Sequence, residues 1–220
     1  MAAISGLGLY RTAADAPGHR AAGGAVRVWL ERTYPAIARK ARAQRGEIHW
    51  ADETGLSSRA NYGRSFAPRG HTPVIRRPGK RFLQSMISSL TNRGKLRFMI
   101  YEGALNTTIF LNFLRRLVRE AARKLFVIVD NLPVHRAHRV TAWVQDHADR
   151  IELCYLPSYA PEHNPDEFLN NDLKQAMARR RTPRDKAALK SGLISYMRSL
   201  QHCPAKVRTF FQAPTVRYAA

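Results

Sequence analysis

Between residues 107 and 124, Phe110, Leu114, Leu117 and Ala121 recur on one helical face, with Asn106 or Thr107 placed to cap the first turn. This amphipathic helix divides the chain into two kinds of pattern. Before it, "EIHWADETG" alternates Ile48 and Trp50 with polar neighbours, predicting a strand that ends near Asp52. "RFLQSMISSL" and "KLRFMIYEG" read as two further strands joined by the turn "TNRG". After the helix, "LFVIVD" is a short continuous apolar run, followed by a helix around 135–148 and the strand "IELCYLP". A proline-bounded loop, "PSYAPEHNP", then leads into the helix "DEFLNNDLKQAMARRR", opened by Pro165, and a last helix covers about 184–201. Upstream, Val26, Trp29, Leu30 and Ile37 have helical spacing interrupted at Pro35. Residues 59–74 hold Gly63, Pro68, Gly70 and Pro73, predicting an irregular hairpin or loop, and residues 1–24, rich in Ala and Gly, are expected to be poorly ordered.

Three hairpin-linked strands followed by two strand–helix–strand crossovers predict a mixed five-stranded α/β sheet with helices on its faces. The domain layout that follows is a segment at 1–24, a helical lead-in at 25–45, the α/β domain at 46–181 and a C-terminal helical extension at 182–220. In such a sheet the first strand can lie parallel beside the fourth, which brings the ends carrying Asp52 and Asp130 together. Ligands of open α/β sheets bind beyond those carboxyl ends.

Charge changes the picture most. Among 220 residues, 37 Lys and Arg face 16 Asp and Glu, a formal net charge of +21. A field of that sign attracts polyanions, of which nucleic acid is the commonest inside cells. Three basic runs carry much of it: "RRPGKR" with Arg76, Arg77, Lys80 and Arg81; "RRLVREAARK"; and "ARRRTPRDK" with Arg179, Arg180 and Arg181. They read as surface that tracks phosphate, with solvated helix faces as the plainer alternative. Cys154 and Cys203 are too few for a disulfide framework or zinc ribbon, and Cys154 suits a buried position. His135 and His138 lack the second Cys or His pair that zinc would require. No run is apolar enough to cross a bilayer, so no membrane partner and a cytoplasmic location are expected. P-loop, nucleophile-elbow and dinucleotide fingerprints are absent.

The chemistry concentrates in three acids. Asp130 closes an apolar run with no cation beside it in sequence. Asp52 competes with Glu53, because adjacent strand residues point to opposite faces and only one can face the same site. Asp166 competes with Glu167 at the start of a helix, where either carboxylate would favourably meet the helix dipole. Phosphodiester cleavage needs a nucleophilic oxygen, charge stabilisation and help for the leaving group, and two divalent cations roughly 3.5–4 Å apart supply all three. Mg²⁺ prefers hard oxygen ligands, so three carboxylates and a phosphate make a sufficient site; the same carboxylates without a cation would repel one another.

"WADETGL", "IVDNLPVHR" and "LPSYAPEHNPDEFLNNDLK", in that order, resemble the catalytic domain of bacterial insertion-sequence DDE transposases of the mariner superfamily. The resemblance runs from about residue 25 to residue 200 and rests most on the third motif. It implies an RNase H-like fold, with Asp52, Asp130 and Glu167 as catalytic and metal-binding acids. It also implies two Mg²⁺ (or Mn²⁺) ions per site, and DNA (transposon ends and target) as partner, with a homodimer as the possible transposition assembly. Asn131 and His135 match the family's pattern after the second acid and are expected behind the metal site. Asn171 and Lys174 lie at i+4 and i+7 from Glu167, where they would position that acid or touch phosphate. Full-length relatives carry helix-turn-helix modules ahead of the catalytic domain, and the uninformative residues 1–24 give the look of a truncated copy. A catalytically inactive DNA-binding remnant and an RNase H-like nuclease or resolvase are the rival functions.

Overall fold

The computed structural model describes residues 17–58, 81–158, 160–180 and 182–220. Five strands, β1 (Glu47–Ser57), β2 (Leu83–Leu90), β3 (Leu96–Tyr101), β4 (Leu125–Val129) and β5 (Ile151–Tyr155), form one sheet in the order β3-β2-β1-β4-β5. β1–β2 and β2–β3 pair antiparallel, while β1–β4 and β4–β5 pair parallel, giving the expected mixed sheet with the first strand beside the fourth. All five residues of β4 are buried, as a central strand covered on both faces requires.

β1 does not stop near Asp52. Its parallel partner is lost after Trp50↔Ile128, but antiparallel pairing with β2 carries it on to Ser57↔Leu83. Asp52 therefore sits inside a strand, at the point where one neighbour ends and the other continues.

Helices cover both faces. α3 (Thr107–Glu120) and α4 (His138–Asp146) lie on one side, where Phe110, Phe113, Leu114 and Val140 pack on Ala51, Ile87, Val127 and Val129. Asn106 caps α3, its side chain accepting from the Ile109 amide at 3.0 Å. The chain reaches α4 through a short 3-10 turn, Pro133–Arg136, so the expected helix over 135–148 starts only at His138. On the other face α5 (Pro165–Ala178) and α6 (Lys186–Gln201) set Leu169, Leu173, Leu193 and Met197 against Trp50, Met86, Leu90, Phe126 and Ile128. α7 (Pro204–Thr209), opened by Pro204, adds Val207 to the same core.

The lead-in starts earlier than its Ala- and Gly-rich composition predicts. α1 (Pro17–Val28) runs through Gly23 and Gly24 and continues by a π-helical turn, Trp29–Thr33, into α2 (Tyr34–Ala43). Pro35 widens the helix without breaking it: it has no amide to donate, and the Tyr34 amide reaches the Trp29 carbonyl five residues back. Docking compensates for weak propensity. Trp29, Tyr34, Trp50 and Tyr218 form one aromatic cluster, with Trp29 Nε1 donating to Tyr218 Oη at 2.9 Å. The predicted loop at 59–74 lies outside the described residues. No described helix is long and apolar enough to cross a membrane.

Candidate active site

Asp130 follows β4 directly, and continuing the β1–β4 register by two residues sets Asp52 beside it. α5 arrives from the third side. Asn164 caps it by accepting from the Asp166 amide at 3.0 Å, and the Asn164 side chain also donates to the Ala51 carbonyl of β1 at 3.4 Å. The first turn of α5 is thereby tied to the strand that carries Asp52.

Three turns of chain thus meet at one cleft of about 460 Å³, whose wall includes Asp52, Asp130, Asn131, Asn164 and Glu167. The neighbouring Asp166 points elsewhere. It is 0% exposed, and Ser88 Oγ of β2 donates to its Oδ1 at 2.8 Å. Burial, then the Asp52 charge, raises its carboxyl well above the usual range. Of the two candidates for the third acid, only Glu167 reaches the cleft.

Asp52 is pushed up to about 8, first by burial and then by Glu53, Glu167 and Asp130. Asn170 Nδ2 donates to its Oδ2 at 3.0 Å. Asn171 and Lys174, expected to position Glu167 or touch phosphate, are exposed and do not line the cleft. The difference is one helical step: Asn170, at i+3 from Glu167, faces β1, whereas i+4 has rotated past it.

His135 and Asn131, expected near Asp130, both lie beside it. His135, 2% exposed, brings Nδ1 to 2.9 Å from Asp130 Oδ1 and packs its ring 4.4 Å from that of Phe110. Asn131 donates to the Leu156 carbonyl and accepts from Arg136, joining the ends of β4 and β5. Glu53 is not idle. On the opposite face from Asp52, it offers an oxygen that lies with donor atoms of Asp130 and His135 within 4.8 Å of one another. Burial, then Asp130, raises its carboxyl, and its Oε2 and His135 Nε2 are buried without a hydrogen-bond partner among the described residues. Among the described residues, Glu53, Asp130 and His135 are the group whose donor atoms already lie that close, whereas Asp52 and Glu167 share the cleft wall with Asp130. Hard oxygens in excess of nearby cations, with orphaned buried donor atoms, are the environment a divalent ion suits.

The basic positions divide. Arg179 and Arg180 are exposed near the end of α5, but Arg180 also donates to the Gly192 carbonyl at 3.0 Å and so joins α5 to α6. Arg81 is exposed and donates to Ser57 Oγ at 3.2 Å. Arg76, Arg77, Lys80 and Arg181 lie outside the described residues.

Sheet order and cleft together define an α/β protein with a carboxylate site at the ends of two parallel central strands. Residues 47–190 match the DDE superfamily endonuclease family, and the chain belongs to that family. No curated protein sequence matches it significantly. Its fold is similar to that of solved transposases at low sequence identity. The Mos1 transposase paired-end complex with left transposon end is 16% identical with a TM-score of 0.62, covering 100% of this chain and 68% of that one. The Mos1 transposase catalytic domain solved with Raltegravir and Mg is 14% identical with a TM-score of 0.55, covering 90% and 94%. The Mos1 mariner paired-end complex with Mn is 16% identical with a TM-score of 0.60, covering 100% and 68%. At such identity the likeness establishes the RNase H-like fold.

Proposed function

We propose that this chain is the catalytic domain of a DDE transposase, which cuts DNA phosphodiester bonds with the help of Mg²⁺ or Mn²⁺ and joins the freed 3′-hydroxyl to target DNA. The observation that carries the reading is the meeting of Asp52, Asp130 and Glu167 in one cleft of a chain of this family. The metal-containing Mos1 structures support the choice of cation. Two ions per site, a homodimeric assembly and action in the cytoplasm belong to the same proposal.

When bound, divalent ions supply positive charge to the phosphoryl group in transfer and acidify an attacking water. The remaining work falls to the chain. Asn170 fixes the Asp52 carboxylate by donating to Oδ2, and the Asn164 bridge to Ala51 fixes the origin of the Glu167 side chain. His135 holds one oxygen of Asp130, and the Asp130 side chain stays 41% exposed, open to an approaching substrate phosphate. Phosphoryl transfer between DNA oxygens needs no covalent protein intermediate, and among the described residues Ser158 is the one hydroxyl-bearing side chain that lines the cleft.

Nicking of supercoiled plasmid in Mn²⁺ tests the reading. Wild-type protein nicks, Glu167→Gln loses on the order of 10³-fold, and Asp166→Asn, a neutral replacement of a buried carboxyl, stays within about tenfold. Loss in Asp166→Asn with full activity in Glu167→Gln would reassign the third acid. Salt-dependent DNA binding by the wild type with no metal-dependent nicking would establish the inactive remnant instead.

A further inference from the structure

At the opposite pole of the sheet from the acids lies a larger cleft, of about 900 Å³. Three corners of the chain build it: the α2–β1 junction with Arg42 and Arg45, the β2–β3 turn with Arg93 and Lys95, and the α3–β4 connection with Arg123 and Lys124. The five residues of β4, at about 3.3 Å each, set it roughly 17 Å from Asp130. The one acidic side chain among the described residues that line it, Glu47, is engaged by Lys95 at 2.5 Å. Arg42, Arg45, Arg93 and Arg123 make no ion pair or side-chain hydrogen bond with any described residue. Four unpaired guanidinium groups on one concave wall repel each other unless an anion joins them.

The backbone presenting these groups is fixed. The β2–β3 turn is closed by the Gly94 amide on the Thr91 carbonyl at 2.9 Å, and Asn92 donates to the Ala219 carbonyl at 3.0 Å. Gly94 has φ +88, and a Cβ there would meet the Pro204 carbonyl oxygen at 2.6 Å, so Arg93 projects from a turn with no slack. At the other corner α2 ends in a Schellman motif, the Gly46 amide reaching the Ala41 carbonyl at 2.8 Å and the Arg45 amide the Arg42 carbonyl at 3.1 Å. The left-handed position of that motif, which favours glycine, is Arg45, with φ +51. A guanidinium is thus held in the cleft at a backbone position where its side chain is a liability to the fold, a mark of functional sites.

We propose that this basal cleft is a second nucleic-acid site, gripping the phosphate backbone of a DNA segment other than the one lying across the acids. Guanidinium forks suit phosphate oxygens in pairs, and unpaired arginines on a chain of net charge +21 favour a polyanion over an isolated ion. The contacts are to backbone and carry no sequence information. The site extends the transposase reading, in which one enzyme handles two DNA segments, but its test does not depend on cleavage.

Binding to a duplex several turns long, followed by fluorescence anisotropy across a salt series, decides it. The triple variant Arg45→Gly/Arg93→Ala/Arg123→Ala lowers the slope of log affinity against log salt by about 3, and Arg45→Gly alone by about 1. Arg45→Gly also raises Tm by removing the left-handed strain, which separates lost contact from lost folding. Plasmid nicking in Mn²⁺ reads the acidic cleft separately. An unchanged slope in the folded triple variant overturns the second site even if nicking persists, whereas a lowered slope in a protein that never nicks supports it and sinks the catalytic reading. Equal protection of these arginines by polyglutamate, with DNA unable to compete, would overturn the assignment to nucleic acid.

Discussion

Asp52→Asn is expected to lose on the order of 10³-fold in metal-dependent nicking and, in chelator at pH 8, to melt at a higher temperature than the wild type. Both effects come from one carboxyl group. Burial pushes the Asp52 carboxyl up to about 8 from its ordinary 3.8, so the native fold keeps the proton through neutral pH. A native state that binds a proton more tightly than the unfolded chain has that stabilisation in full below about pH 4 and loses it as pH climbs toward 8. Wild type should therefore weaken across that window in chelator, because the unfolded chain gives up the Asp52 proton while the native state, with Glu53, Glu167 and Asp130 nearby, retains it. The Asn variant keeps the acceptor that Asn170 uses and has no charge to develop, so the gap between the two melting curves widens with pH. Saturating Mg²⁺ or Mn²⁺ should close the gap by stabilising only the wild type, by about 2.7 kcal/mol at a hundred times the dissociation constant. A variant that melts lower than wild type at pH 8 in chelator would remove the strain from the account.

Trp50→Ala should give the largest loss of stability. Trp50 is 1% exposed, with ring centroids 6.3 Å from Trp29, 5.6 Å from Tyr34 and 5.7 Å from Tyr218. It lies two residues from Asp52 on the same face of β1, so one side chain anchors the lead-in helices, the C-terminal segment and the strand that carries the acid. Truncating a buried aromatic costs about 3–5 kcal/mol, a large part of a typical domain's stability. With a urea m-value of about 2 kcal/mol/M, the midpoint falls by about 2 M. A shift under about 0.5 M would mean that the aromatic cluster does not hold these segments together.

The parts legible in sequence are those set by local pattern. A five-residue apolar run leading into Asp130, too short for a helix and rich in Val and Ile, suits a covered strand, and "HNPDE" announces a helix with its cap and its first-turn acids. What the pattern could not fix was set by partners distant in sequence. β1 passes Asp52 because β2 pairs with "ETGLS", a stretch with little hydrophobic signal of its own. Asp166 and Glu167 differ by about 100° around α5, and only the docking of that helix on Ser88 and Ala51 decides which is entombed. The same rotation turns Asn170 toward Asp52 and leaves Asn171 exposed. Ser88, the one polar residue between Met86 and Leu90 on a buried face, was the available sign of a hidden polar partner. α1 was obscured by composition, since glycines at 23 and 24 argue against the helix that Trp29 and Tyr34 hold in place.

The Glu53 and His135 donors give the central claim its sharpest alternative. Anomalous diffraction from crystals soaked in Mn²⁺ separates them directly. Density is expected within about 2.2 Å of carboxylate oxygens of Asp52, Asp130 and Glu167. A single ion held by Glu53, Asp130 and His135, with Asp52 and Glu167 untouched, would contradict it.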